Sequence, residues 1–386
     1  MIHRFPALSE DDRRVLSLIQ EQREQFRHRV NQNPHRWTGF LRRNTFARNI
    51  RGSNSIEGYD ASVDEAAAII DDDRPETVAE ETYRALLGYR NALTYILQIH
   101  GDPHFDLNAQ FIKSLHFMML GHDLTKLPGQ WRPGSVLVVH APTGQTVYEG
   151  PDADRVPALI DELIEQIDDT DGAPPIIRGA LAHLNLAMIH PFKDGNGRMA
   201  RALQTLVLAK EGIVGPVFSS IEEWLGRNTD EYYRILADVG RGSWHPRNDA
   251  APWVRFCLRA HYQQAATLMR RNLEIGRVWD ELKSVVERYS LHERTEIALV
   301  DAAFGYRVTN ERYRSENGIS NVVASRDLRK LCDLDLLVPV GEKRGRYYVA
   351  SNSLKEMREK TREPRRMDDP YEVQTIAAEP ELPGID

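Results

Sequence analysis

The chain has 386 residues, of which 41% are hydrophobic, and it carries a formal net charge of −7 at pH 7. This length predicts two or three domains with a sizeable core, and the negative charge argues against wholesale binding of nucleic acid, although it is compatible with a local basic patch. The two cysteines exclude a disulfide framework, no apolar run approaches the roughly 18 residues of a membrane span, and the first residues lack the apolar run of a secretory leader, so we expect a cytoplasmic protein with no membrane contact.

Helices are predicted over most of the first hundred residues. The first begins near Ser9, where the following acidic residues suit the N-terminal turn of a helix. Residues 71–75 predict a break, and apolar spacing predicts another helix over 76–99. Between the first helix and that break lies Ser53-Asn54-Ser55-Ile56-Glu57-Gly58. Taken alone, this segment is explained by Ser53 capping a helix.

A β-hairpin is predicted in the middle of the chain. The β-branched run Val136–His140, the turn residues Pro142–Gly144 and the strand-like Thr146–Tyr148 are typical of two antiparallel strands. A buried hairpin without a binding role is the alternative to one that meets a partner. The helices predicted around it cover 107–121, 153–167, 176–190 and 199–210, with a loop at 168–174 and further helices through Tyr232 and Trp253 to about Leu273.

A polar segment joins two of these helices and concentrates the residues that bear chemistry. Its sequence is His190-Pro191-Phe192-Lys193-Asp194-Gly195-Asn196-Gly197-Arg198-Met199-Ala200-Arg201. Pro191 disfavours a helical His190, so the first helix should end there. The segment leads into the N-terminus of the next helix, whose free N–H groups suit phosphate. Gly195 and Gly197 permit the backbone of an anion-binding nest.

The side chains of this segment suit the handling of a nucleotide polyphosphate. Asn196 can donate to a phosphate oxygen, and Arg198 and Arg201 can make forked contacts with phosphate. Asp194 suits Mg²⁺, which proteins usually hold with one or two carboxylates plus substrate phosphates. His190, with an ordinary pKa near ~6.5, suits a general base. A surface turn beside a structural histidine is the alternative, but the combination at this spacing favours the functional interpretation.

The C-terminal part predicts a separate small domain. Helices are expected over 291–303, 309–316 and 321–332, followed by a hairpin from 336 to 349, an order typical of a winged helix-turn-helix. The basic side chains that would meet DNA phosphates are Arg326, Arg329, Lys330, Lys343, Arg344 and Arg346. Acidic neighbours make contact with protein, or dimer packing, the alternative. Residues 362–386 are rich in charge and proline and are expected to be disordered.

The twelve-residue segment resembles the signature of the Fic family, His-Pro-Phe-x-Asp/Glu-Gly-Asn-Gly-Arg-x-x-Arg. The resemblance implies a mainly α fold, a helical bundle with a β-hairpin flap, that transfers AMP from ATP to a Ser, Thr or Tyr hydroxyl of a target protein. It implies that His190 is the general base, that Asp194 holds Mg²⁺ and that Phe192 anchors the loop. The cofactor-binding residues so assigned are Lys193, Gly195, Asn196, Gly197, Arg198, Arg201 and Tyr232. For Tyr232, helix packing is an equal alternative to contact with adenine. Gly197, where phosphotransferases of the Doc type have lysine, favours nucleotidyl transfer.

Two other segments fit this resemblance. Ser53, Glu57 and Gly58 match the inhibitory pattern Ser/Thr-x-x-x-Glu-Gly/Asn of the subclass with an N-terminal inhibitory helix. The resemblance implies that Glu57 pairs with Arg201 and misplaces the ATP phosphates, and that the same glutamate can support removal of AMP. Residues 135–148 resemble the flap on which the target protein docks by strand addition.

These observations give four regions. They are a helical region with the inhibitory motif (1–100), a catalytic core (101–275), a winged-helix-like domain (280–352) and a disordered tail (362–386). The leading function is an autoinhibited protein adenylyltransferase that also modifies itself. The alternatives are an enzyme that removes AMP or does both, and a transcriptional regulator that senses nucleotide and acts through its winged helix; a homodimer stays open.

Overall fold

The computed structural model describes residues 1–31, 35–140, 145–170, 173–213, 220–342, 345–365 and 368–373. The fold is mainly α, as predicted. The α-helices in these ranges are α1 (Glu10–Asn31), α2 (His35–Ile56), α3 (Val63–Ile70), α4 (Glu80–Ile99), α5 (Ala109–Leu120), α6 (Val156–Asp168), α7 (Pro175–Ile189), α8 (Asn196–Lys210), α9 (Glu222–Leu225), α10 (Thr229–Gly240), α11 (Ala251–Arg288), α12 (Thr295–Ala303), α13 (Asn310–Asn317), α14 (Asn321–Asp333) and α15 (Asn352–Lys360). None of them combines the length and apolar character that a bilayer crossing needs.

The strands form two small antiparallel sheets. The predicted hairpin consists of β1 (Leu137–His140) and β2 (Gln145–Glu149), with a register shift between Val138 and Val139. The second sheet has the order β3-β5-β4, with β3 (Val308–Thr309), β4 (Leu337–Val340) and β5 (Tyr347–Ala350). Two-stranded hairpins are marginal alone, so the first depends on the helices behind it: the Tyr148 hydroxyl donates to the Met188 carbonyl of α7 at 2.9 Å.

Helices α7 and α8 form the centre of the molecule. Thirteen of the fifteen residues of each helix are buried, and a helix that is covered on all sides belongs to the core. The predicted polar segment runs from the end of one of these helices to the start of the other. The core packing therefore fixes both ends of the loop that carries the candidate catalytic residues.

Helix α2 lies against α9 at a point where both backbones lack a side chain. A Cβ added at Gly52 would lie 2.5 Å from the carbonyl oxygen of Glu222, and one added at Gly226 would lie 2.7 Å from the carbonyl oxygen of Gly52. Glycine permits this approach because it has no Cβ. The contact sets the position of the last turn of α2, which carries Ser53.

The predicted domain limits differ from the structure at two places. Helix α11 was expected to end near Leu273, with a boundary between residues 275 and 280, but it continues without interruption to Arg288. Its second half is covered by Leu299 of α12 and by the sheet, which share one apolar cluster with Val278 and Leu282. The same helix packs along α1, so the first hundred residues are not a separate unit.

The tail also differs from the expectation of disorder. Residues 362–365 and 368–373 lie against the folded chain, while 374–386 fall outside the described residues. The Tyr371 hydroxyl donates to Asp12 at 3.0 Å, and Asp369 accepts from Arg259 at 3.0 Å. The composition of the tail cannot reveal these contacts, because Asp12 and Arg259 lie more than a hundred residues away in the sequence. Sequence analysis also missed β3 and α15, whereas the winged-helix assignment stays a prediction.

Candidate active site

The loop begins with an unusual backbone at His190. Helix α7 ends at Ile189, and His190 takes left-handed angles (φ 52°, ψ 57°) while its N–H still donates to the Leu186 carbonyl at 3.0 Å. Such angles are uncommon for a residue with a side chain, and they cluster at functional sites. Gly195 has φ 76° and precedes α8, which begins at Asn196 rather than at Met199 as expected.

The His190 ring is prepared to accept a proton. Its Nδ1 lies 3.2 Å from the carbonyl oxygen of Ala187, and because a carbonyl only accepts, Nδ1 carries the hydrogen and Nε2 keeps a free lone pair. Burial lowers the pKa of His190 below its ordinary value, so the ring is neutral near pH 7. A neutral imidazole with a free Nε2 can act as a general base.

Asp194 presents an ionised and accessible carboxylate. It accepts from the Gly195 N–H at 2.5 Å and pairs with Lys126 Nζ at 2.9 Å. Burial would raise the pKa of this carboxyl, but the bond and charge of Lys126 lower it below its ordinary value. The side chain is 39% exposed. Lys193, assigned to the cofactor, instead donates to the carbonyl of Thr125 at 2.9 Å.

The described residues fit a shared metal site rather than a closed one. No group of three or more His, Cys, Asp or Glu side chains in the described ranges could hold a metal ion. A single accessible carboxylate is nevertheless what Mg²⁺ requires when phosphates supply its other ligands. Asp194 fits this role if Lys126 releases its carboxylate oxygen.

Asn196 closes the loop through the backbone of Phe192. Its Oδ1 accepts from the Phe192 N–H and its Nδ2 donates to the Phe192 carbonyl, both at 2.9 Å. The side chain is buried and uses one of its two N–H donors on Phe192, and its contact with phosphate stays a prediction. The clasp holds Phe192, whose buried ring anchors the loop in the core.

His116 supports the loop from α5, and sequence analysis missed it. Its ring stacks on Phe192 with centroids 3.7 Å apart. Nδ1 accepts from the Gly129 N–H at 2.9 Å, so Nε2 carries the hydrogen and donates to the Asp194 carbonyl at 2.9 Å. Burial lowers the pKa of His116 to about 4, so the imidazole ring stays neutral near pH 7 and keeps these two hydrogen bonds. No local sequence signal marks the residue, because its partners belong to other elements.

Arg198 is a buried cation with free donors. Its guanidinium lies 5.2 Å from the centroid of the Tyr59 ring, a cation–π distance. Its Nε and Nη1 are buried without a hydrogen-bond partner among the described residues. A buried donor without a partner costs about 1–3 kcal/mol. An anion at this place would remove that cost, which makes Arg198 a prepared phosphate contact.

Arg201 is occupied by the predicted inhibitory segment. Its Nε donates to Ser53 Oγ at 2.7 Å, and its Nη2 donates to the Ser53 carbonyl at 2.9 Å and to Glu57 at 2.6 Å. Burial would lower the pKa of Arg201, but the charge of Glu57 raises it above its ordinary value. A Cβ at Gly197 would collide with Glu57 Oε1. The carboxylate therefore lies directly against the loop, and Gly58 (φ 83°) follows the end of its helix.

Tyr232 lies in the core among aromatic side chains. The side chain is buried, its hydroxyl lies 3.0 Å from His183 Nε2, and its ring packs beside Trp253. The packing alternative fits this residue better. The neighbouring Tyr233 is 47% exposed and donates to the Ile56 carbonyl at the end of α2 at 3.2 Å.

The hairpin is fastened to the same loop. Arg132 donates through its backbone N–H to the Pro191 carbonyl and through Nε to the His190 carbonyl, each at 2.9 Å. On the hairpin itself, Leu137 and Val147 are exposed. Of the 135–148 segment expected to dock a target, residues 141–144 lie outside the described residues. Arg132 also donates to the carbonyls of Gly134 and Pro151, which precede and follow the hairpin, so it joins the base of the hairpin to His190.

Comparison with known proteins agrees with this geometry. A profile of the Fic/DOC family matches residues 106–208. Protein adenylyltransferase fic-1 of Caenorhabditis briggsae is 28% identical over 255 residues, 65% of this chain and 46% of that protein. Protein adenylyltransferase Fic of Nematostella vectensis is 28% identical over 218 residues, 55% of this chain and 46% of that protein. The chain thus spans about half the length of the curated relatives it matches.

Solved structures share the architecture. A Fic family protein from Desulfovibrio desulfuricans G20 superposes with a TM-score of 0.58 at 21% identity, covering 91% of this chain and 98% of that one. Fic-1 (residues 134–508) from Caenorhabditis elegans gives a TM-score of 0.53 at 22% identity, covering 67% and 72%. The chain therefore has the fold of Fic family proteins and carries a Fic/DOC domain over residues 106–208.

Proposed function

We propose that this chain is a protein adenylyltransferase, an enzyme that transfers AMP from ATP to a Ser, Thr or Tyr hydroxyl of a protein. The observation that carries the proposal is the loop between α7 and α8. It places a neutral His190, an ionised Asp194 and the partnerless donors of Arg198 around one helix N-terminus. The relatives reported above are protein adenylyltransferases, which supports the same activity.

The reaction we propose is an attack of the target hydroxyl on the α-phosphate of ATP. His190 Nε2 accepts the hydroxyl proton, the oxygen–phosphorus bond to AMP forms, and pyrophosphate leaves. The N-terminus of α8 and the guanidinium of Arg198 hold the phosphate charge, a preorganised arrangement that stabilises the charge of the transition state. A base in this position typically contributes about 10²–10⁴-fold to the rate.

We propose Mg²⁺ as the accompanying metal and Asp194 as its protein ligand. Bound there together with phosphate oxygens, the ion would supply charge neutralisation for the leaving pyrophosphate. Lys126 Nζ pairs with this carboxylate at 2.9 Å. Its ammonium would release that oxygen and stay within reach of the phosphates.

Glu57 is proposed to keep the resting rate low. Its bond to Arg201 occupies an arginine that the outer phosphates of ATP would need. ATP could then bind only with its phosphates displaced, and a displacement of about 1 Å costs on the order of 10²-fold in rate. Removing the carboxylate frees one of the two Nη2 N–H donors of Arg201, while the bonds of Arg201 to Ser53 remain.

Transfer of α-³²P label from ATP to the protein itself and to a cell lysate tests the proposal. The comparison uses the parent, Glu57→Gly and His190→Ala combined with Glu57→Gly. We expect label with Glu57→Gly, little with the parent and none with the double variant. A Glu57→Gly protein no more active than the parent would contradict the inhibitory role, and label in the double variant would contradict the role of His190.

A second candidate is removal of AMP at the same site. Glu57 lies against Gly197 and is 22% exposed, so the same carboxylate can orient a water toward a bound phosphate. Release of label from a modified target by the parent, and its loss in Glu57→Gln, would favour this reaction. Release that does not depend on Glu57 would exclude this use of the residue.

The partners and the compartment follow the same reasoning. We propose that the target docks beside Leu137 of the hairpin, that the protein modifies itself and that it acts in the cytoplasm. The α12–β5 segment is proposed as a winged helix for protein or DNA contact, since Arg326 and Arg329 are exposed on α14. Lys343 and Arg344 of the expected wing lie outside the described residues. A gel shift with genomic fragments at physiological salt tests the DNA alternative, and no retardation would leave the protein or dimer contact.

A further inference from the structure

A polar cavity lies between α2 and the C-terminal helices, and none of the residues that line it belongs to the loop between α7 and α8, the Fic loop. It has a volume of about 400 Å³, within the usual range of small-molecule sites. Its lining contains eight Lys or Arg side chains against three Glu, an excess of five positive charges. Neither His190 nor Arg198 lines it. The overall charge of the chain is −7, so this local excess is not a general property of the surface.

Two buried glutamates hold part of the cluster together. Glu223 accepts from Arg271 at 2.8 Å and from Arg227, and Glu274 accepts from Arg358 at 2.5 Å and from Arg270. Each carboxylate thus already serves two guanidinium groups. Adding Glu223 to the count still leaves four positive charges in excess, so the described side chains around the cavity do not neutralise it.

Arg48 is only weakly paired with a carboxylate. Its Nε donates to Asn44 at 2.8 Å, but its nearest carboxylate, Glu223, is 3.7 Å away, beyond a good hydrogen bond. Burial, together with the like charge of Arg271, lowers the pKa of Arg48 to about 10. The pKa of Arg227 is also lowered, by burial and by neighbouring cations that include Arg365. Both groups lie in a positive potential that an anion would relieve.

We propose that this cavity binds a small anion that carries two or more phosphate groups. Guanidinium forks match phosphate oxygens two at a time, and an excess of about four charges exceeds what a single phosphate supplies. The ligand would bridge Arg48 of α2, Arg271 of α11 and Arg358 of α15. It would therefore tie α2, the helix that carries Ser53, to the end of the chain.

Isothermal titration of the full chain with inorganic tripolyphosphate tests the site. We expect Arg48→Gln to weaken binding at least tenfold, and Lys355→Gln combined with Arg362→Gln to do the same. The pair serves as the second test because both side chains are exposed, so the fold should survive their replacement. Arg42→Gln, an exposed arginine on the same helix that does not line the cavity, is the matched control and should bind as the parent does.

Two further arms separate this cavity from the nucleotide site. Because tripolyphosphate can also meet Arg198 at the nucleotide site, the cavity is measured in an Arg198→Gln background, where tripolyphosphate should still bind and Arg48→Gln should still weaken that binding at least tenfold. Orthophosphate should bind at least tenfold more weakly than tripolyphosphate in the parent. Absence of tripolyphosphate binding in the parent would overturn the proposal. So would binding that is lost with Arg198→Gln but kept in both cavity variants, or equal losses with Arg42→Gln.

Discussion

Replacing Gly52 with alanine is expected to force α2 away from α9 and so release Arg201. The new Cβ would meet backbone only, the Glu222 carbonyl oxygen at 2.5 Å and the Glu223 Cα at 2.9 Å. No rotamer change can relieve a clash with backbone. The two helices must therefore separate, although alanine itself favours a helix over glycine by about 1 kcal/mol.

The size of the movement follows from the contact distances. Ordinary van der Waals contact begins near 3.4 Å, so the 2.5 Å approach requires a shift of about 0.9 Å. A shift of this size carried along α2 would lengthen the 2.6 Å bond between Arg201 and Glu57 to about 3.5 Å, where a hydrogen bond is essentially lost. Overpacking of this kind typically costs about 1–3 kcal/mol.

The assay compares self-modification with α-³²P ATP and the midpoint of thermal unfolding. Gly52→Ala should lower the midpoint and raise the labelling. Gly39→Ala on the same helix is the control, because no described atom lies within 4 Å of its new Cβ. It should neither lower the midpoint nor raise the labelling. In a Glu57→Gly background, Gly52→Ala should add little to labelling, because both changes act on the same bond. A folded Gly52→Ala protein with the parent's midpoint and labelling would refute the reasoning.

Three further predictions concern single side chains. Asn196→Ala should destabilise the protein by about 2–4 kcal/mol in urea unfolding, because it leaves the buried N–H and carbonyl of Phe192 without partners; a loss below 1 kcal/mol would contradict the clasp. Arg198→Gln should weaken ATP binding in titration calorimetry at least tenfold without lowering the unfolding midpoint, since its Nε and Nη1 have no hydrogen-bond partner in the described ranges. Burial raises the pKa of Glu222 to about 7, so the carboxyl binds a proton more tightly in the folded than in the unfolded chain. The free energy of unfolding of the parent should therefore fall by about 2–3 kcal/mol, relative to that of Glu222→Gln, as the pH rises from 5 to 8. Parallel pH profiles of stability for the two proteins would refute this prediction.

The sequence predicts the helices best where apolar spacing and local breaks agree. Apolar spacing and a local break agree at the end of α7, where Pro191 follows His190. Apolar spacing also predicts most of α8. The pairing of Glu57 with Arg201 joins residues 144 positions apart, and only the family pattern could suggest it. Spacing alone contains no information about which distant groups meet.

Two of the assigned residues bind protein groups that the sequence does not reveal. Asn196 and Tyr232 each have polar groups that suit a ligand, but tertiary packing gives those groups protein partners, Phe192 for one and His183 for the other. Likewise, α11 runs past the expected boundary because distant elements cover its second half. A residue type states which bonds are possible, whereas the packed fold decides which of them are made.

The most direct test of the central claim is the position of the label. Glu57→Gly protein is incubated with α-³²P ATP or with γ-³²P ATP, and label on the protein is measured. Transfer of AMP predicts that the α label appears on the protein and that the γ label leaves in pyrophosphate. Transfer of the γ label without the α label would mean that the loop moves a phosphoryl group, and the account of this site would be wrong.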